Sequence, residues 1–312
     1  MSRASHATDD GLSLPRAQTG PTPQHLIVTL LGDYWLGRAE PLPSSALLAL
    51  TGEFGITETS ARAALGRLTR RGLLSLSRVG RRTFYAMCEQ TQRELERNRD
   101  KILSFGATAA AAWDGAWTVV AFSVPEDQRH LRHLLRARLR WLGFAALYDG
   151  VWVSPRGSVD DVGFELERLG IEQATVFRAT AAFPPTGLPG DPATAWDVEA
   201  LRRSYQDFVA RFAPMRDRAR TGRVSAAEAL VARTEAMDIW RGFPGDDPDL
   251  PPELLPDDWA RVEAHQVFVE IYDRLGPLGE TRFREILGEH APELVRLARH
   301  HTSRKRPRSR TK

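Results

Sequence analysis

Apolar positions recur at helical spacing in the stretch 56–71. Read at about 100° per residue, Ala61, Ala64, Leu65 and Leu68 share one face of an amphipathic helix. Thr57 stands where an N-cap belongs and Gly72 where the helix stops. The opposite face is polar, small and basic: Thr59, Ser60, Ala63, Gly66, Arg67 and Arg70, with Arg62 at its edge and Arg71 closing the run. Upstream, Ser44 is the expected cap of a short helix over 44–50, and 52–55 is a tight, glycine-bearing connection. The apolar run 26–35 predicts a helix packed beneath both, and 36–41 a loop. Downstream the pattern turns strand-like over 73–78 and 82–87, parted by 79–81, where Gly80 supplies the positive φ of a hairpin tip.

Helix, short turn, helix and hairpin together predict a winged helix-turn-helix over 24–90. Charge sharpens this. Between Glu58 and Glu89 there are seven arginines and no acidic residue. The predicted contacts with a double-stranded DNA operator are Thr59, Ser60, Arg62, Arg67, Arg70 and Arg71 on the helix, with Arg78, Arg81 and Arg82 at the hairpin tip. Arg67 is the one suited to a bidentate guanine contact. The competing reading is a solvated basic face on a protein-interaction module. Agreement among four successive elements favours DNA.

The remaining elements follow in order. A charged helix over 91–105 forms a linker, 91–112. It is the only continuous element expected to join head and body. Residues 113–182 then read β-α-β-β-α-β, the ferredoxin-like order. The strands lie at 117–124, 143–148, 150–154 and 173–179, and the helices at 128–142 and 159–169. The first of those helices is expected to turn Leu131, Leu134, Leu135, Leu139 and Leu142 inward, with Arg129, Arg132, Arg136 and Arg140 outward and Arg138 alongside. A proline-rich linker, 183–196, leads to a C-terminal helical domain, 197–300, with helices at 197–211, 226–240, 258–275 and 281–300. Residues 1–23 have the composition of a disordered tail, and 301–312 of a basic one. The expected fold class is α+β multidomain.

Composition narrows function further. At 312 residues the chain exceeds one ordinary core. Its net charge of +3, concentrated at the hairpin and the C-terminus, suits a phosphate-bearing partner. A single cysteine, Cys88, excludes a disulfide framework or thiolate metal site within one chain. No apolar run approaches ~18 residues, so no membrane partner is expected and the location is read as cytoplasmic. Metal-dependent phosphodiester cleavage needs carboxylates near the end of the first central strand, and 118–124 has none. Asp114 precedes that strand and Asp149 sits in a turn. His265 and His290 are isolated, and His300 and His301 adjoin the tail. No catalytic residue, metal or resident cofactor is therefore expected. A non-specific architectural DNA binder and, less favoured, a nuclease stay open as alternatives.

Four stretches carry a family resemblance: ITETSARAALGRL (56–68), WDGAWTVVAFSVP (113–125), LGF to GVWVSP (142–155) and DPDLPPELLPDDW (247–259). Over about 24–290 the chain resembles the PaaX family of phenylacetate-catabolism transcriptional repressors. The resemblance implies a homodimeric repressor of a catabolic operon, a central domain similar to that of the CRISPR nuclease Cas2, and release by an acyl-CoA thioester such as phenylacetyl-CoA. One motif departs: DIWRGF (238–243) stands where the family usually shows His and Tyr ahead of Arg. A CoA thioester needs an apolar slot and cations for its phosphates. Trp240, Arg241 and Trp259, with Arg178, Arg202 and Arg203, are the candidates, although a stiff, helix-capping loop explains the composition of 247–259 fully and is the favoured reading.

Overall fold

A computed structural model describes residues 22–108, 113–180 and 191–303. Most of the three segments read as tails and linker (1–23, 183–196 and 301–312) lies outside them. The chain divides into two compact units. Among the described residues, 22–105, 209–244 and 263–303 form the first, and 106–108, 113–180 and 191–208 with 245–262 the second.

In the first unit α1 (Pro23–Tyr34) opens with Thr22 accepting from the His25 N–H and with proline in its first turn, where a missing donor costs nothing. A two-residue strand, β1 (Leu42–Pro43), precedes α2 (Ser44–Gly52). Pro43, rather than Ser44, holds the N-cap position, and no side chain caps that end. Gly55, at φ 72°, turns the chain into α3 (Glu58–Arg70), and Gly72, at φ 71°, ends it. β2 (Leu74–Val79) and β3 (Arg82–Met87) form the hairpin, and β1 adds to β3 through Leu42 opposite Tyr85. α4 (Glu89–Ser104) follows.

The second unit is built on β4 (Trp117–Phe122), α5 (Arg129–Trp141), β5 (Ala145–Tyr148), β6 (Val151–Ser154), α6 (Val159–Leu169) and β7 (Ala174–Ala179). The sheet order is β5-β6-β4-β7, with neighbours antiparallel. One core joins Val120, Phe122 and Trp152 of the sheet to Leu135 and Leu139 of α5 and Val162 and Leu166 of α6. Leu134 departs from expectation: it is 50% exposed. It sits one position before Leu135, about 100° around the helix from the inward stripe.

The later helices are α7 (Val198–Arg220), α8 (Ala226–Trp240), α9 (Phe243–Asp246), α10 (Arg261–Arg274) and α11 (Gly276–His290). Ser225 and Glu228 close a capping box on α8. α8 and α11 do not stand apart from the head. Leu230 of α8 and Phe283, Ile286 and Leu287 of α11 share one core with Leu26, Ile27 and Leu30 of α1, Leu47 of α2 and Leu65 of α3. The expectation that the 91–105 helix alone joins head and body therefore fails. Packing through α8 and α11 is a second and broader connection.

Candidate nucleic-acid interface

Recognition by a helix needs one face fixed in a core and the other free. In α3, Ala61, Ala64, Leu65 and Leu68 are buried, while Thr59, Ser60, Arg62, Ala63 and Arg70 are exposed and Gly66 and Arg67 half-buried. Thr57 Oγ1 accepts from the Ser60 N–H at 3.3 Å, which fixes the first turn. Arg62 donates to Glu58 at 3.1 Å. The side chains of Arg67 and Arg70 make no hydrogen bond or ion pair among the described residues. Arg71 closes the helix, its N–H donating to the Arg67 carbonyl.

The hairpin turns on two residues, Gly80 and Arg81, with Gly80 at φ 60°. Positive φ at the first central residue matches strand twist. Arg78 and Arg81 are exposed and, among the described residues, their side chains carry no hydrogen-bond or ion-pair partner; Val79 beside them is 69% exposed. Arg82 behaves differently. It donates to the His290 carbonyl at 2.8 Å and lies over the Phe84 ring, which fastens the hairpin to the end of α11. The turn before α3 is fastened likewise: Arg282 of α11 donates two hydrogen bonds to Glu53, at 2.8 and 3.1 Å. Sequence reasoning missed both anchors, because the partners lie more than 200 positions apart and nothing local announces the pairing.

The candidate effector residues fall in both units. In the first, Trp240 is fully buried, donates from Nε1 to the Ile102 carbonyl at 2.9 Å and stacks on Phe268. Arg241 is held by two hydrogen bonds to Asp238, which also accepts from Thr29. In the second, Arg178 pairs with Asp114 at 2.7 Å. Arg202 pairs with Glu199 and Asp258, and Arg203 with Glu199. Trp259 meets Tyr205 edge-on, and its Nε1 is buried without a hydrogen-bond partner among the described residues. The 247–259 segment is tied down by Tyr205, which donates to Asp247 at 2.6 Å, and by Arg261, which reaches Asp247 and Asp249. Burial pushes the Asp247 carboxyl above the usual range, against the pull of the Tyr205 hydroxyl and the Arg261 guanidinium. Every one of these candidate cations is already matched by a carboxylate. Among the described residues no group of three or more His, Cys, Asp or Glu could hold a metal ion, and no helix is long and apolar enough to cross a membrane.

These features define a mixed α+β chain with an exposed basic helix and hairpin, and the similarities to known proteins fall on the same segments. Residues 22–91 match the family described as PaaX-like protein, 110–189 the PaaX protein central Cas2-like domain, and 196–285 the PaaX-like protein C-terminal domain. The chain is 30% identical over 257 residues to the transcriptional repressor PaaX of Escherichia coli (strain K12), covering 81% of this chain and 80% of that protein. It belongs to the PaaX-like family. A solved structure, the uncharacterized protein Rv0674 from Mycobacterium tuberculosis, resembles it with a TM-score of 0.48 at 22% identity, covering 85% of this chain and 98% of that one.

Proposed function

We propose that this protein is a transcriptional repressor that binds operator DNA through a winged helix-turn-helix made of α1–α3 and the β2–β3 hairpin, and that it has no catalytic role. One observation carries the reading. Arg67, Arg70, Arg78 and Arg81 project from one folded unit with no carboxylate to neutralise them among the described residues, whereas the candidate effector cations elsewhere in the chain are paired. Uncompensated guanidinium groups at a helix face and hairpin tip suit a phosphate backbone and a base edge. The repressor named in the relative of similar length supports the same reading. A gel-shift series tests it. Arg70→Ala and Arg81→Ala should each weaken binding on every duplex and lower the salt slope by about one. Arg67→Ala should relax specificity at one base pair, worth about 1–3 kcal/mol. Variants that bind and discriminate like the parent would remove α3 and the hairpin from the interface.

Two finer parts of the reading rest on family membership. The protein acts as a homodimer on an inverted repeat, because one winged helix covers too few base pairs for selectivity. An acyl-CoA thioester then lowers its affinity for the operator of a catabolic operon. The route favoured by the packing runs through α8 and α11 into α1 and α2, since these helices share one core. A thioester phosphate arriving at Arg241 or Arg202 would have to displace Asp238 or Asp258. Titration calorimetry with phenylacetyl-CoA, followed by an operator titration at saturating thioester, tests this part. It fails if no heat is released or if the operator dissociation constant does not move.

A further inference from the structure

Beyond α11 the chain folds back as a 3-10 turn, Pro292–Leu297, and continues through Ala298 and Arg299. An open cleft of about 640 Å³ lies between this segment and the helix, within the first unit. Arg284 of α11 lines it, with Pro292, Glu293, Val295, Arg296 and Arg299 from the segment. Its size falls among small-molecule sites, which run from about 300 to 1,000 Å³. None of these residues takes part in the DNA-binding face or among the effector candidates.

The one buried carboxylate that serves these arginines is fully used. Glu280, 8% exposed, pairs with Arg284 at 2.6 Å and lies 3.5 Å from Arg299. It also accepts from the His300 N–H at 2.9 Å and stands 2.6 Å from His300 Nδ1. Two oxygens thus meet four donors, about as many as a carboxylate accepts. The arginines, by contrast, keep donors in hand. Arg284 spends only Nη2, on Glu280 and the Ala298 carbonyl, and its buried Nε has no hydrogen-bond partner among the described residues. Arg299 spends only Nη1 of its side chain, on the same carbonyl and the same carboxylate. Arg296 is exposed, and its side chain has no hydrogen-bond or ion-pair partner among the described residues. Glu293, exposed on the rim, pairs with none of the three. Three guanidinium groups against two carboxylates leave one positive charge and several N–H donors to spare. A planar carboxylate is satisfied by a single guanidinium fork. Three forks around one space suit a tetrahedral oxyanion, whose oxygens face several directions.

We propose that this cleft binds a small molecule through a phosphate group held by Arg284, Arg296 and Arg299, with Pro292 and Val295 as an apolar rest for the remainder of the ligand. Such a ligand ties α11 to the segment after it, next to the points where the His290 and Leu297 carbonyls accept from Arg82 and Arg38. Titration calorimetry on the full chain with sodium pyrophosphate tests it, at an ionic strength held constant with sodium chloride. The parent should bind one pyrophosphate per chain. Arg296→Ala, whose side chain has no polar partner to lose, should keep the parent's circular dichroism and melting temperature. Its dissociation constant for pyrophosphate should rise about tenfold or more, because one charge-assisted partner is gone. Citrate, an anion of similar charge built from planar carboxylates, should bind the parent at least about tenfold more weakly. Arg70→Ala/Arg81→Ala should bind pyrophosphate as the parent does, since neither residue lines the cleft. No saturable heat from the parent, equal affinity in Arg296→Ala, equal affinity for citrate, or a loss in Arg70→Ala/Arg81→Ala overturns the site. Neither DNA nor thioester is present, so this outcome is independent of the gel shifts that test the repressor reading.

Discussion

Arg233 is wholly enclosed, and Tyr34, Tyr272, Asp33 and His301 hold it there. Its guanidinium lies 3.8 Å from the Tyr272 ring centroid, 5.0 Å from that of Tyr34 and 3.1 Å from Asp33. It donates to the Tyr272 and His301 carbonyls, and Tyr272 in turn donates to Asp33. Burial pushes the Asp33 carboxyl up, against the pull of Arg233 and the Tyr272 hydroxyl. Removing one partner leaves a buried charge alone, so Arg233→Ala should cost about 3–5 kcal/mol in urea unfolding, while Arg233→Met with Asp33→Leu should recover most of it. Equal stability of the single and double variants would contradict that. His301 adds a pH dependence. Burial, with Arg99 and Arg233 nearby, lowers its pKa to about 4. The folded state holds it neutral while the unfolded chain takes a proton below about 6.5, so its contribution is complete above that pH and is lost as pH falls toward 4. At pH 5 the loss should be about 2 kcal/mol relative to pH 8, and His301→Gln should flatten the profile. At this scale the exposed arginines of α3 were legible from spacing alone. The Arg233–Asp33 pair was not, because its members are 200 positions apart and each reads locally as a surface residue.

Among the elements, α11 shows how closely the later helices fit the head. A Cβ on Gly279 would overlap the buried Tyr34 hydroxyl and come within 3.5 Å of the Leu230 Cα. Neither α1 nor α8 can yield there without disturbing the shared core, so Gly279→Ala should destabilise the first unit by roughly 1–3 kcal/mol, read as a lower urea midpoint with unchanged slope. A neutral effect would mean that the three helices are not packed this way. Periodicity located α3 and α6 to within a residue or two, because each buries a clean stripe. It placed the last helix at 281–300, whereas α11 runs from Gly276 to His290. Pro277 is suited to the first turn of a helix, and Pro292 disfavours helical backbone just before it; after it the chain takes up a short 3-10 turn, Pro292–Leu297. Two-residue β1 had no periodicity to display.

Across the whole chain, the two units are each discontinuous in sequence, and no compositional boundary announces that. α8 is buried along much of its circumference, so its pattern says that it is internal without saying against what. The first unit combines the basic surface of α3 and the hairpin with α8 and α11, fastened by Arg282–Glu53 and Arg82–His290. It should therefore unfold as one body. In hydrogen exchange, Gly279→Ala should speed the amides of α3 along with those of α11. Faster exchange confined to α11 would show two independent bodies instead.

DNA recognition by α3 is tested most economically by selection from a random duplex library, using the parent and Arg67→Ala/Arg70→Ala, with circular dichroism confirming that both are folded. The parent should enrich one short inverted repeat, and the variant should enrich it more weakly and with the base pair read by Arg67 degenerate. Equal enrichment of the same repeat by both proteins, or of no sequence by the parent, would show that this helix does not read DNA.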